Sequence, residues 1–473
     1  MAEHPTVGPI LFARGCDRRA FRLAALLVTG DREAAPVLVP DGADPVPPVR
    51  LDGRFGRIVW RYDFALPARA DATYRLGPQV FPVAADLSGD LRIAFVSCNG
   101  QENGDLRRPV DERNAMWERL AHENASRPFG LLLQGGDQLY ADEVLDADPG
   151  LRRWWNAPVR DKDRHPYTVA MRETAERFYF ERYLALFEQP GIAALCARVP
   201  SLMMWDDHDI VDGWGSHPSR TLDSPVGRGL FAAARAAFAL FQLARSPDEA
   251  DAMGGTLGYG AAFPGFTVVA PDLRSERRPD RVMGPAGWAA LEGWLATASD
   301  GERLLLMSTV PLLGPRLSWV EWLIGALPGI AKYKDDLRDQ WQSRSHRAEW
   351  RRLLRTLERE AVERGRGVTA LSGEIHLATR GEMAFGDGSV LHQLVASGIA
   401  HPAPPAGYSA GLGLLAALGE DPLENRPIRL RPLPGRRWIY TGQRNYLVLE
   451  RTGTAWTACW ELEHDGRTPA LAL

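Results

Sequence analysis

Three apolar runs in this chain end abruptly in acidic or histidine side chains: Leu131–Asp142 (LLLQGGDQLYAD), Ser201–Asp209 (SLMMWDDHD) and Val368–His376 (VTALSGEIH). In each, the apolar residues do not alternate, which reads as a strand buried on both faces. Gly135 and Gly136 let the backbone turn where a Cβ would crowd it. Asp137 then stands at the carboxyl end of the strand, where open α/β sheets bind their ligands. One Gly-Gly-Asp is an ordinary turn. The same ending repeated three times in one chain points to a shared site.

Each ending offers groups of definite chemistry. Asp137 and Asp207 supply the carboxylate oxygens that hard cations need. A carboxylate between two ions can bridge them, as a phosphoester-cleaving dinuclear site requires. Asp206 and Asp209 are further candidates, and one of them could instead orient a neighbour. His208, flanked by Asp207 and Asp209, has its charged form favoured and suits an acid that protonates a leaving oxygen. His376 can ligate through one ring nitrogen, and on a strand Glu374 would share its face. Cys98 and Tyr140 both follow strands, and thiolate and phenolate are strong anionic donors to iron. Asn99 is one more candidate ligand or neighbour of the metals. The plainer readings are turn aspartates, a surface or core histidine, a spectator thiol, and a ring packed over the glycines. Arg274 could clamp phosphate oxygens with its fork, or form a salt bridge to Glu276 or Asp272.

One motif competes. Gly407-Tyr408-Ser409-Ala410-Gly411 fits the G-x-S-x-G of a serine-hydrolase elbow, which needs a strand before it. His401-Pro402-Ala403-Pro404-Pro405 stands there instead and cannot form a central strand, so Ser409 is expected in a loop. Neither a P-loop, nor H-E-x-x-H, nor a G-x-G-x-x-G fingerprint occurs.

The elements that must position these groups follow from the pattern. Short β-like runs at Leu23–Val28, Val37–Val39, Arg57–Phe64 and Thr73–Leu76 predict a small β-rich domain over residues 1–86, with a linker at Val80–Asp90. The main domain, residues 91–473, begins with the Leu91 strand, which stops at Ser97-Cys98-Asn99. Strands at Phe266–Ala270 and Arg303–Ser308, and helices at Val169–Phe187, Gly229–Arg245 and His346–Arg364, give the alternation of a layered α/β domain. A Trp-rich insertion near 318–339 does not fit the alternation. Trp319 and Trp322 recur there at helical spacing, as a packed helix or as a lid over the site would require.

Composition excludes several classes. A charged fraction of 25% and a net charge of −4 are ordinary for a globular protein and leave no basic footprint for nucleic acid. Cys16, Cys98, Cys196 and Cys459 form no CxxC pair, which removes zinc-finger spacing. No stretch is long and apolar enough to cross a membrane. Arg18-Arg19 resembles a twin-arginine signal, but the apolar run after it is short and meets Asp31, Arg32 and Glu33. The expectation is a strand there and a cytoplasmic protein. Oligomeric state is not legible.

With these residues in view, GGDQLYAD, WDDHD and SGEIH, with SCN upstream, resemble the PhoD-like (alkaline phosphatase D) family of the calcineurin-like metallophosphoesterase superfamily. The superfamily's first D-x-H block is absent, and Ser97-Cys98-Asn99 takes its place; Tyr140 stands for the last Asp of G-D-x-x-D. Both departures match the PhoD-like branch. The resemblance implies a four-layer αββα core and a metal-dependent phosphoesterase in which metal-generated hydroxide attacks phosphorus in line. It implies Asp137 as the bridging carboxylate, Cys98 and Tyr140 on ferric iron, Asp207 on the second metal and His376 as a ligand. It implies His208 as acid or phosphate contact. Calcium is the implied partner of iron, other divalent ions being possible, and the substrate would be a small phosphate ester.

Overall fold

Leu131–Gly135 forms the strand that its composition predicts, buried throughout, in the middle of an 11-stranded sheet. This computed structural model describes residues 5–314, 340–405, 412–413, 416 and 419–473. The Trp-rich stretch 318–339 and Ser409 lie outside the described residues.

The centre of the first sheet is parallel. Leu91–Val96, Leu131–Gly135, Ser201–Met204 and Val7–Cys16 lie side by side in that order. Their register levels the strand ends: Val96 pairs with Gln134, and Gln134 with Met203. Cys98, Asp137 and Asp206 therefore emerge at one end of the sheet. A second, 8-stranded sheet has its own parallel centre in Phe266–Ala270, Arg303–Met307, Gly367–Ser372 and Val390–Val395. These strands deliver Arg274, His376 and Ser397.

Alternation along the strands sorts side chains into layers. Phe95, Leu131 and Leu133 of the first sheet meet Val268, Leu305, Leu371 and Leu394 of the second in one core between the sheets. Ala94, Leu132 and Met203 face outward onto helices Val110–Ser126, Val169–Phe187 and Pro225–Gln242. Leu304, Leu306 and Ala370 face helices Pro285–Thr297 and Arg347–Val362. Two sheets sandwiched by helices make the four-layer αββα order. Each fully buried Leu or Phe contributes about 1.5–3 kcal/mol, so the rigid platform under the strand ends rests mainly on this core.

The first 86 residues are β-rich, but most of their strands do not form a sheet of their own. Val7–Cys16, absent from the sequence expectation, pairs parallel with Ser201–Met204 through Phe12 and Ser201, and antiparallel with Ala20–Gly30. Arg57–Pro67 and Val49–Arg54 extend the sheet further. Gly8, Pro9 and Gly15 hid this strand, and register shifts at Val7/Ile10 and Ala13/Gly15 are how a strand accommodates them. Only Leu38–Pro40, Ala72–Leu76 and Gln79–Val83 make a separate three-stranded sheet, and the last of these occupies the expected linker. Among the described residues no helix is long and apolar enough to cross a membrane.

Candidate metal centre

The strand ends place four non-glycine residues in the left-handed region: Cys98 (φ 55°), Asp137 (φ 55°), Glu374 (φ 65°) and His376 (φ 53°). That conformation costs an L-residue of order 1–3 kcal/mol and persists only where the surroundings enforce it. The enforcing contacts are present. The N–H of Cys98 donates to the Gly136 carbonyl at 3.2 Å. Asp137 N–H donates to Asp209 Oδ2 at 2.9 Å, and His376 N–H to Ser397 Oγ at 2.8 Å. Gly136 has no room for a side chain, because a Cβ would lie 2.7 Å from Thr309 Cγ2 and 2.9 Å from Asp206 Cβ.

Asp137 is the hub. Its ligand atoms fall in two groups whose members lie within 4.8 Å of one another: Cys98, Asp137 and His376, and Asp137, Asp206 and Asp207. Cys98 Sγ is 3.5 Å and the Tyr140 hydroxyl 3.4 Å from Asp137 Oδ2. The hydroxyl is also 3.0 Å from His376 Nε2. Asp137 Oδ1 is buried without a hydrogen-bond partner. Burial, then Asp206, push the Asp137 carboxyl well above the usual range. Burial and the nearby Asp137 do the same to the Cys98 thiol, and burial and Cys98 to the Tyr140 phenol. His376 is held well below its usual value by burial and by His401. Gly100 admits the Tyr140 ring, since a Cβ would sit 2.5 Å from its Cδ2.

On the other side of Asp137, the fully buried Arg274 guanidinium is clasped by carboxylates. Its Nε donates to Asp206 Oδ1 and its Nη1 to the Trp214 carbonyl at 3.0 Å, while Nη2 lies 3.3 Å from Asp207 Oδ1. Asp207 Oδ2 accepts from the Gly213 N–H at 2.7 Å. A planar fork of five donors suits this shared hold.

His208 stacks on the Tyr140 ring at 4.3 Å between centroids. Its Nδ1 is 2.9 Å from Asp142 Oδ2. Burial alone would lower its pKa, but Asp142 and Asp207 outweigh burial and hold it well above the usual histidine value. Nε2 faces Glu102, whose Oε1 is 3.8 Å away. Glu102 Oε2 lies 3.5 Å from Nε2 of His401, whose ring stacks on His376 at 3.4 Å.

A family model described as PhoD related phosphatase matches residues 61–334, more than half of the 473-residue chain. The chain belongs to the PhoD-related phosphatase family. The match spans Cys98, Asp137, Tyr140, Asp207, His208 and Arg274, and stops before His376. An uncharacterized protein of Saccharomyces cerevisiae, YGR266W, is 25% identical over 336 residues, which cover 57% of this chain and 47% of that protein. The chain thus spans about half the length of this curated relative. A solved structure of PhoD aligns with TM-score 0.60 at 13% identity, covering 98% of this chain and 88% of that one. A purple acid phosphatase, PPD1, from yellow lupin (Lupinus luteus) seeds aligns with TM-score 0.55 at 12% identity, covering 99% and 74%. At such identities these two speak for the fold alone, a metallophosphoesterase-like core.

Around these groups, the remaining candidate residues are held by partners within the protein. Arg274 reaches neither Glu276 nor Asp272 with its side chain and pairs with Asp206 and Asp207 instead. The guanidinium is fully buried there, because the folded sheets bring these carboxylates within its reach. Asp209 spends its oxygens on the N–H groups of Asp137, Leu139 and Asp206 and on Gln242 Nε2, at 2.9–3.0 Å. It organises the loops. Glu374 does not share a strand face with His376, because the strand ends at Ser372; its carboxylate accepts from Gln340 Nε2 at 2.7 and 2.8 Å. Asn99 accepts from Trp117 Nε1 at 2.5 Å. The sequence reading did not single out Asp142, Glu102 and His401, which stand against His208 and His376. Asp142 closes the GGDQLYAD motif. His401 follows the Val390–Val395 strand, so the strand-end rule applied once more would have found it.

Proposed function

We propose that this chain is a metal-dependent phosphoesterase that hydrolyses phosphodiesters, phosphomonoesters or both at a dinuclear centre to whose two ions Asp137 would contribute. The observation that carries the reading is the membership of Asp137 in two ligand groups, with one carboxylate oxygen buried and unpartnered. A buried polar atom without a partner is costly, and a cation is the partner such an oxygen accepts.

The residues fit two different ions. Cys98, Tyr140, Asp137 and His376 would hold ferric iron, for which thiolate and phenolate are apt donors. Asp137, Asp206 and Asp207 would hold calcium or another hard divalent cation. When bound, such ions supply Lewis acidity toward the phosphoryl group and the attacking water. Asp142 would fix the His208 ring through Nδ1, so that Nε2 faces the leaving oxygen and gives it a proton. Arg274 would keep Asp206 and Asp207 in place. Purified protein, analysed for metals and assayed with an aryl diester and an aryl monoester before and after chelation, tests the reading. Turnover that is lost on stripping and restored by metal is expected. Metal content without turnover of any ester would overturn it in favour of a binding protein on the same scaffold.

A further inference from the structure

Glu102 lies four residues beyond Cys98, at the opening of the centre. Its side chain is 40% exposed while the groups beneath it are buried. Oε1 is 3.8 Å from His208 Nε2 and Oε2 is 3.5 Å from His401 Nε2. His401 is fixed from behind, with Nδ1 2.6 Å from the Pro402 carbonyl, and its ring lies flat against His376. Asp212 Oδ1 is a further 4.0 Å from His208 Nε2 and is exposed. Among the described residues, Glu102 thus stands at the rim of the site, over the imidazoles of His208 and His401.

We infer that Glu102 selects substrate by charge, favouring singly charged phosphodiesters over doubly charged phosphomonoesters; this rests on the phosphoesterase reading above. A phosphomonoester carries close to two negative charges at neutral pH, with a second pKa of about 6; a diester carries one. Repulsion from a fixed carboxylate scales with the charge on the approaching group and falls with distance and dielectric. The extra charge of the monoester is penalised while the diester is nearly spared. Selection of this kind works by disfavouring the wrong partner rather than by adding contacts to the right one.

The test compares wild type, Glu102→Gln and Glu102→Asp in their metal-loaded forms, with equal metal content checked. Bis(p-nitrophenyl) phosphate and p-nitrophenyl phosphate are the probes. Glu102→Gln should lower the diester-to-monoester ratio of kcat/KM by roughly ten-fold, mainly by raising the monoester term, as expected for one charge a few ångströms away in a partly exposed site. Glu102→Asp should stay near the wild-type ratio, and added salt should shrink the difference between the two variants. An unchanged ratio in Glu102→Gln overturns the inference, including the case where both substrates slow equally and Glu102 merely positions His208. A wild-type protein that turns over neither probe with any metal instead fails the phosphoesterase reading itself.

Discussion

The two halves of the centre use the same device, a side chain thrown from a strand end, yet they are prepared for an ion in opposite ways. In the half formed by Cys98, Tyr140 and His376, burial keeps the thiol and phenol protonated and the imidazole neutral. In the half formed by Asp206 and Asp207, the anions are already compensated by the buried Arg274. The first half would become a strong donor set only if a cation ionised it. The second is a charged cage that exists beforehand. Asp137 belongs to both, which is why its own carboxyl is the most awkwardly placed group in the site. The contrast suggests that the first half suits a tightly held, highly charged ion and the second a more exchangeable one.

Breaking the shared member should have the largest effect. Asp137→Asn is expected to abolish turnover and to lower both metals, because a neutral amide cannot bridge two cations. Metal analysis beside activity checks this, and a fully metallated, active variant would remove Asp137 from the centre.

Next comes His208, the proposed proton donor, which stands beside both halves. His208→Ala should cost about 10²–10⁴-fold on substrates with poor leaving groups and much less on activated aryl esters. Asp142→Asn should show the same leaving-group dependence at smaller magnitude. Equal losses on both substrate types would argue for a purely structural role.

Arg274→Leu tests the charged half alone. Removing one partner of a buried ion pair costs about 3–5 kcal/mol, so the melting temperature should drop and the divalent ion should be lost before iron. Loss of both ions in parallel would mean that the halves are not independent. The neutral half is tested by Tyr140→Phe and Cys98→Ser. If both donate to ferric iron, the wild type should absorb in the visible, and each variant should shift or weaken the band while retaining calcium. A colourless zinc protein would overturn the iron assignment and leave the phosphoesterase reading standing.

The smallest expected effect is on pH dependence. The raised carboxyl of Asp137 means that the metal-free folded state binds its proton more tightly than the unfolded chain, whose ordinary value is 3.8. That contribution is fully present below pH 3.8 and is lost as pH rises through the folded value. Relative to loaded protein, the melting temperature of chelated protein should therefore fall as pH rises above 3.8. A gap between the two that does not depend on pH would contradict the burial argument.

The chemistry at the strand ends was legible because it is local. A buried parallel strand must be an unbroken apolar run, and its ligand-bearing end must leave that run within a few residues, as LLLQGGD, SLMMWDDHD and VTALSGEIH do. The helices Val169–Phe187 and Arg347–Val362 were legible for the same reason, since capping by Thr168 and an apolar stripe are carried by neighbours in sequence. What the chain alone could not decide was anything set by contact between distant segments. Val7–Cys16 is a strand because the Ser201–Met204 edge needs a partner, despite two glycines and a proline. The Arg274 guanidinium pairs with Asp206 and Asp207, about seventy residues away, while its backbone N–H meets its neighbour Asp272, because two sheets packed face to face bring those distant carboxylates within reach. Asp209 accepts from the N–H groups of Asp137, Leu139 and Asp206 for the same reason: which carboxylate meets orphan N–H groups is fixed only when both sheets are in place.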